Sequence, residues 1–241
     1  PRAFAGCQNL TSLSFPATYT EIGADAFIDC DSLPHLTIPD TVTAIKDYAF
    51  YHCSSLTTVS IGNGVTSIGN NAFLDCGSLT SVTLGNSLKS IGDYAFRNCA
   101  KLVRISFPDS LISIGTSAFY NCDALVRITI PDSVTDLGGA AFYDCDALSS
   151  VTIGNGVKSL QEGHIPGIYG DLGAFGNCDN LTTVVIGNSE GAPVTEIGYE
   201  AFYYCSSLTK VVIGNSVKSI GERAFYRCAS LAEIVIPDSV K

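Results

Sequence analysis

The chain has 241 residues, a formal net charge of −10 at pH 7 and 46% apolar residues. The negative charge argues against general binding to nucleic acids or anionic membranes, because both are themselves negatively charged. The apolar residues are spread along the chain, and no run approaches the roughly 20 residues of a membrane-spanning helix, so we expect no membrane insertion by this chain.

A repeated pentapeptide, Ala-Phe-x-x-Cys, organises the chain from its start to its end. Ten cysteines each close one copy, at Cys7, Cys30, Cys53, Cys76, Cys99, Cys122, Cys145, Cys178, Cys205 and Cys228. Successive cysteines are 23 residues apart six times, and then 33, 27 and 23 residues apart. A fixed period of this length is typical of a solenoid. We therefore predict a single domain over residues 1–241, built from about ten 23-residue repeats.

Each repeat contains the same predicted elements, and we number positions by their distance from the cysteine. Apolar residues at +6 and +8 flank a polar one, as in Val59-Ser60-Ile61, which predicts a short half-buried strand. A Pro-Asp or Gly-Asn pair at +9 and +10 indicates a turn in which Asp or Asn bonds its own nearby backbone. The Gly-x-x-Ala-Phe segment is too short for a long helix, so we predict a single helical or 3-10 turn.

Stacking explains why such short elements recur. One repeat cannot bury its own apolar face, but neighbouring repeats can cover each other. The predicted fold is therefore an α/β solenoid, a right-handed coil with one continuous, concave parallel β-sheet and short helical or 3-10 turns on the convex side. Phe should fill the coil, and the residues at +5 and +7 should point out of the concave sheet.

The cysteines allow three interpretations. Stacked thiols at the strand spacing fall inside the Cα distance range of a disulfide, but their side chains point in parallel. Zinc sites usually need close pairs such as C-x2-C, and this sequence has none. Free cysteine behaves as a small buried hydrophobe. The pattern favours a ladder of free core thiols over scattered disulfides or a metal site.

The outward positions of the strands carry the first candidate binding residues. At +7 the first seven repeats have Ser or Thr and the last three have Val. At +5, Arg104 and Arg127 lie in adjacent repeats, and His35 and Lys210 occupy the same column. Two like charges this close are unfavourable unless an acid or a ligand anion neutralises them. The arginines either splay into solvent or meet nearby carboxylates, or they form a small anion- or carboxylate-recognition site.

Two insertions interrupt the period near residues 161–171 and 189–193, with ten and four extra residues. Their Gly and Pro residues indicate loops. Insertions in solenoids often form binding loops on one edge. Because both follow a strand in successive repeats, we expect them to project near each other, with His164 and Tyr169 as candidate contacts. A tolerated loop without a partner is the alternative, since loop growth costs little.

Enzymatic chemistry finds little support in the sequence. The three histidines, His35, His52 and His164, lie at different positions of the repeat. No nucleophile elbow, HExxH pair or Gly-rich phosphate loop is present. We therefore expect no catalysis, no cofactor and no metal.

Both ends of the chain fall inside a repeat, at Pro1-Arg2-Ala3-Phe4 and at Pro237-Asp238-Ser239-Val240-Lys241. A terminal repeat without a polar cap leaves its stacking surface uncovered. We therefore predict a fragment of a longer array whose signal and anchor are missing. Its uncovered ends are expected to associate end to end.

The repeat pattern Leu-x-x-Val-x-Ile-Pro-x-Ser-Val-x-x-Ile-Gly-x-x-Ala-Phe-x-x-Cys resembles the BspA-like (Treponema-type) leucine-rich repeat. In one repeat the match is carried by Leu125, Ile128, Ile130, Pro131, Ser133, Val134 and Leu137. The resemblance implies a leucine-rich-repeat coil without a shared catalytic site, in a cell-surface or secreted protein. Similar proteins belong to host-associated bacteria and some parasitic protists, and several are adhesins.

For this chain the resemblance implies a binding module for a host or neighbouring-cell protein. Two alternatives remain open. One is a structural spacer that holds another domain off the cell surface. The other is a carbohydrate-binding face, for which tyrosine would supply the stacking groups. Tyrosines at one position just after Phe form a column on the convex side, whose spacing indicates first of all packing between the helical turns: Tyr51, Tyr120, Tyr143, Tyr203 and Tyr226.

Overall fold

The repeats wind into a parallel β-solenoid of about eight full turns. A computed structural model describes residues 1–160, 163–164, 171–187 and 194–241. Successive turns align position for position, so that Leu36 is the ladder partner of Val59 and Ile38 that of Ile61. The first and last of the ten predicted repeats form no strand at +5 to +8, and the structure does not confirm ten complete turns.

One side of the coil is formed by the strands at +5 to +8, which we call the long-strand sheet. Its members are β2 (His35–Ile38), β4 (Thr58–Ile61), β6 (Ser81–Thr83), β9 (Arg127–Ile130), β11 (Ser150–Ile153), β15 (Thr183–Ile186) and β17 (Lys210–Ile213). All of its ladders are parallel. The sheet runs from β2 to β6 and again from β9 to β17. It is therefore not the single continuous sheet that the sequence predicts.

A second parallel sheet, which the sequence did not predict, lies at +14 and +15, and four positions later in the repeat that contains the second insertion. The members of this short-strand sheet are β1 (Glu21–Ile22), β3 (Ala44–Ile45), β5 (Ser67–Ile68), β7 (Ser90–Ile91), β8 (Ser113–Ile114), β10 (Asp136–Leu137), β12 (Ser159–Leu160), β16 (Glu196–Ile197) and β18 (Ser219–Ile220). It also has two parts, β1 to β10 and β12 to β18. In every strand the second residue is an aliphatic side chain that turns towards the core.

The predicted helical or 3-10 turns are wrong for the described residues, which form hydrogen-bonded turns instead. In a helix each N–H would bond four residues back in its own turn. Here the N–H groups of Tyr48, Phe50 and His52 donate to carbonyls of the next turn of the coil, at 2.8 to 2.9 Å. Tyr48 and His52 also have φ near +56°, in the left-handed region. A backbone that bonds between turns in this way cannot continue as a helix.

The same two backbone positions, five residues and one residue before each cysteine, are left-handed in nearly every repeat. Asn or Asp often occupies the second position, and these residues tolerate positive φ better than most. Their side chains form a further ladder, in which the Asn98 amide donates to Asp75 at 2.7 Å and the Asn121 amide donates to Asn98 at 3.1 Å. We call the side of the coil formed by these turns the turn face. Both backbone and side-chain hydrogen bonds hold it together between repeats.

Side chains at +10 also form hydrogen bonds between successive turns of the coil. The side chain of Asp40 accepts a hydrogen bond from the backbone N–H of Asn63, 2.6 Å away in the next repeat. Asn63 in turn accepts from the N–H of Asn86 at 3.0 Å. The predicted bond of Asp or Asn to its own nearby backbone is thus replaced by a bond to the following turn.

The core contains one continuous column of phenylalanine rings. Ten rings, from Phe4 to Phe225, stack with centroids 5.1 to 5.5 Å apart. Those from Phe27 to Phe202 are at most 1% exposed. All ten cysteines are free thiols. Each buried thiol donates to the Phe carbonyl of the preceding repeat, as Cys53 does to Phe27 at 3.2 Å. The predictions of a Phe-filled coil and of a packed thiol ladder are confirmed.

The two insertions leave the coil at different corners. The first follows β12 of the short-strand sheet and includes the antiparallel pair β13 (Gly163–His164) and β14 (Asp171–Leu172). The second follows β15 of the long-strand sheet. Most of both loops, residues 161–162, 165–170 and 188–193, lies outside the described residues.

Candidate functional site

The outer surface of the long-strand sheet is exposed, as the alternation of residues predicts. Within β2, β4 and β9 exposed and buried side chains alternate strictly. The Ser and Thr side chains at +7 in the first seven repeats are all exposed, and so is Val212 further along the column. This surface therefore begins as a row of hydroxyl groups and becomes apolar towards the last turns.

Of the four basic candidates on this surface, the structure brings together Arg104 and Arg127. Both side chains are exposed, and both line one depression of about 350 Å³. His35 and Lys210 are also exposed, but each lies three repeats from this pair. The ring of His35 is engaged within its own part of the sheet, where Nδ1 is 2.8 Å from Thr58 Oγ1. The column is therefore not one continuous basic site.

The arginine pair coincides with the interruption of the long-strand sheet. The segment 104–107 lies where a strand between β6 and β9 is expected, and its one ladder contact is an isolated bridge between Arg104 and Ser81. No backbone hydrogen bond joins residues 105–107 to β6 or β9 within the described chain. Shallow depressions flank the segment on both sides, one of about 260 Å³ and one of about 350 Å³. We call this region the sheet opening.

The residue at +8 provides a physical reason for the opening. Ile or Leu occupies this position in most repeats, but Phe107 does so here. Its ring meets the core column edge-on, 5.6 Å from Phe119 and 6.4 Å from Phe142 between centroids. Oversized core side chains displace the backbone that carries them. Phe15, the other Phe at +8, also lies in a repeat without a long strand.

The charges at the opening are not internally compensated. Among the described residues, neither the Arg104 nor the Arg127 guanidinium forms a salt bridge. Asp109 lines the larger depression with them but pairs with neither arginine. Some exposed bases elsewhere do pair, as Lys46 does with Glu21 at 3.2 Å and Arg223 with Glu200 at 3.3 Å, whereas Lys89 and Lys218 form no salt bridge among the described residues either. Arg104 and Arg127 are thus available to an external anion.

The loop candidates contribute less. The backbone of His164 pairs with Asp171 in the short hairpin of the first insertion. Tyr169 lies outside the described residues, and so does the predicted approach of the two loops. His164 therefore belongs to a corner of the coil that follows the short-strand sheet, whereas the arginine pair lies on the long-strand sheet.

The buried thiols offer no reactive centre. Burial raises the pKa of Cys30 to about 11 and that of Cys53 to about 12. A thiol with so high a pKa carries little thiolate at neutral pH and is a poor nucleophile. In the part of the chain that the structure describes, no group of three or more His, Cys, Asp or Glu side chains could hold a metal ion. No helix long and apolar enough to cross a membrane occurs there either.

The tyrosine column lies on the turn face, where its rings pack mainly on one another. Tyr120 stacks on Tyr143 at 5.6 Å, and Arg97 lies 4.8 Å over the Tyr120 ring. A second group joins Tyr203 to Tyr226 at 5.4 Å, with Arg227 5.6 Å from the Tyr226 ring. Tyr226 is 43% exposed, so this second group offers an accessible aromatic surface.

A coil of stacked leucine-rich repeats with these features matches a known class of proteins. The family model "BspA type Leucine rich repeat region" matches residues 1–103, 66–165 and 171–241 of the chain. The chain therefore belongs to the BspA-type leucine-rich repeat family. Members of this class are generally non-enzymatic scaffolds, and the repeat indicates a protein-interaction module.

Solved structures of bacterial leucine-rich repeat proteins resemble this fold. A leucine-rich repeat protein from Bacteroides ovatus is 37% identical, with a TM-score of 0.79, over 97% of this chain and 56% of its own. The Treponema pallidum protein TpLRR is 30% identical, with a TM-score of 0.58, over 83% of this chain and 78% of its own. The chain thus spans little more than half of the Bacteroides protein. No similar sequence was found among curated proteins.

Proposed function

We propose that this chain is the protein-binding module of a cell-surface or secreted protein, and that it acts as an adhesin towards host or neighbouring-cell proteins. One observation carries the proposal. The exposed side of the long-strand sheet presents two arginines, Arg104 and Arg127, that no carboxylate of the described chain neutralises. In a chain with a net charge of −10, an uncompensated basic pair favours an external acidic partner.

The surface around the pair suits protein contact. Hydroxyl groups border the arginines in the neighbouring turns, and Thr129 and Ser106 line the same depression. Arginine is enriched at the energetic centres of protein interfaces, and a polar, solvent-accessible rim surrounds such centres. Membership of the BspA-type family supports the surface location and the adhesive role as the most coherent setting for such a face.

Surface plasmon resonance against a panel of host matrix and cell-surface proteins tests this proposal. The wild-type chain should bind at least one panel protein, and Arg104→Glu with Arg127→Glu should weaken that binding by tenfold or more, about 1.4 kcal/mol. The matched control is Lys89→Glu with Lys218→Glu, which makes the same charge change at exposed positions outside the long-strand sheet. The urea midpoint should stay nearly unchanged in both variants. Absence of binding across the panel would contradict the proposal.

A glycan-binding face is a second candidate, favoured by the tyrosine group near the last turns. Tyr226 is exposed, stacks on Tyr203 and lies beside Arg227, so a sugar ring could stack on its outer side. Tyr226→Ala should then abolish binding on a glycan array, whereas the arginine variants should not. A spacer role predicts that neither variant affects attachment of cells that carry the protein.

End-to-end self-association remains part of this proposal. Ile236, at the core position +8, is 47% exposed in the last repeat, and Phe4 is 48% exposed in the first. Since successive turns of the coil are nearly identical, these two surfaces are suited to cover each other. In analytical ultracentrifugation, Ile236→Asp should lose the concentration-dependent increase in mass that the wild type shows.

A further inference from the structure

We propose that the sheet opening at residues 104–107 is a recognition site for a carboxylate side chain on an extended segment of a partner protein. This inference rests on the proposed protein-binding function and specifies where, and to what chemistry, the module binds. It adds to the arginine pair a feature that the sequence pattern did not show, namely a local break in the backbone ladder.

The first step in the argument is the supply of unpaired backbone donors. In a regular turn, the N–H group at +7 bonds a carbonyl of the preceding strand. The N–H groups of Ser106 and Thr129 have no backbone acceptor in the described chain, because the segment between β6 and β9 forms only an isolated bridge with β6 and no ladder with β9. Peptide N–H groups are obligatory donors and are well suited to bind anions or an added peptide backbone.

The second step is the charge. Arg104 and Arg127 border the larger depression from adjacent turns, and Ser106 and Thr129 line it two residues further along each strand. A carboxylate there can accept hydrogen bonds from the guanidinium groups and from the Thr129 N–H, which faces the preceding turn, and charge-assisted bonds of this type are the strong ones. Asp109 at the same depression limits the net positive charge and therefore favours one carboxylate over a polyanion.

The third step concerns the shape of the ligand. The unpaired N–H groups of Ser106 and Thr129 occupy the same position in adjacent turns, and the depressions of about 260 Å³ and 350 Å³ lie on either side of residues 104–107. An extended peptide that crosses the outer face of the sheet here can place alternate side chains over the two depressions. A glutamate side chain on such a segment fits this combination, because it brings a single carboxylate to the arginines and an unpaired N–H group.

A matched pair of ligands and of variants tests the proposal. The probes are a short capped peptide of Ser and Thr with one central Glu, and its twin in which Gln replaces Glu. Titrated into the isotope-labelled full chain, the Glu peptide should shift the amide signals of Ser106 and Thr129, and should bind about tenfold more tightly than the Gln peptide. Raising the salt concentration should weaken binding of the Glu peptide, since the arginine charges are exposed and therefore screened by salt.

Two variants separate the opening from the charge. Phe107→Ile keeps both arginines but supplies the residue with which other repeats form the ladder, so it should slow amide exchange at Ser106 and Thr129 and abolish peptide binding. Arg104→Gln with Arg127→Gln keeps the opening and should remove the preference for Glu over Gln. Asp109→Asn should strengthen binding of the Glu peptide, and Lys89→Gln with Lys218→Gln should leave it unchanged.

Each contrary result identifies a different failure. No shift with the Glu peptide, or full binding by Phe107→Ile with a closed ladder, overturns the proposal, and so does binding of a sulfated oligosaccharide in preference to the peptide. If a protein of the matrix panel still binds Phe107→Ile as it binds the wild type, the proposed function stands and the opening is not its site. If the peptide binds at the opening but no panel protein does, the recognition site stands and the adhesin assignment fails.

Discussion

Truncating one ring of the phenylalanine column is the most direct test of how the coil is stabilised. Phe119 is fully buried, and its centroid lies 5.2 Å from that of Phe96 and 5.1 Å from that of Phe142. Phe→Ala changes in cores cost about 3–5 kcal/mol. Phe119→Ala removes two stacked ring pairs and the edge contact with Phe107, and each aromatic pair contributes about 0.5–1.5 kcal/mol. The loss in unfolding free energy should therefore lie near the upper end of that range.

Two matched variants show what the position contributes. Phe4 is 48% exposed and stacks on Phe27 alone, so Phe4→Ala should cost less than half as much. Tyr120 is the chain neighbour of Phe119 but lies on the turn face, where it is partly exposed, and Tyr120→Ala should also cost clearly less. The measurement is urea unfolding followed by circular dichroism, with the midpoint and slope compared for each variant. Equal losses for Phe119→Ala and either control would refute the assignment of the inward face.

A pair of glycine substitutions, a thiol titration and a pH series test the inter-turn packing and the thiols. Gly64→Ala should destabilise severely, because its Cβ would lie 1.8 Å from the Asp40 carbonyl oxygen, whereas Gly77→Ala, with no atom nearer than 3.9 Å, should keep the wild-type urea midpoint. Denaturation without reductant should expose ten titratable thiols per chain, and a count near zero would restore a disulfide framework. Thiol burial raises the pKa from 9.0 to about 11 in Cys30 and about 12 in Cys53, so unfolded thiols ionise first. Stability should therefore be complete below pH 9 and fall as the pH rises towards 11, more gently in Cys53→Ala; a flat thermal midpoint would contradict this.

Most of the fold could be predicted from the repeat period, because each core position is reproduced in every turn. The Leu, Ile, Val, Phe and Cys positions that the sequence placed inside are the buried ones, and His35, Arg104, Arg127 and Lys210 are exposed as predicted. The alternation of a strand and the burial of a column of identical residues are local consequences of side-chain chemistry. They could therefore be predicted without knowing how distant repeats pack.

Of the candidate site, the sequence predicted the arginine pair but not the break in the backbone ladder beside it. The spacing placed Arg104 and Arg127 in adjacent turns, but it gave no sign that the ladder between those turns is broken. The available signal was the residue at +8, since Phe15 and Phe107 are the two Phe residues at that position. Whether a larger ring is accommodated or displaces its strand depends on the packing of neighbouring turns, and a single repeat does not contain that information.

The sequence by itself determined the solenoid, its register and the identity of the buried columns, since these follow from periodicity and from the burial of apolar side chains. Only the tertiary structure decided how the backbone groups pair. On the turn face the N–H groups of residues such as Phe50 bond the next turn, which excludes a helix, and at Phe107 contact with Phe119 and Phe142 opens the long-strand sheet beside two arginines. Both outcomes depend on contacts between repeats, which a local pattern of residues cannot specify.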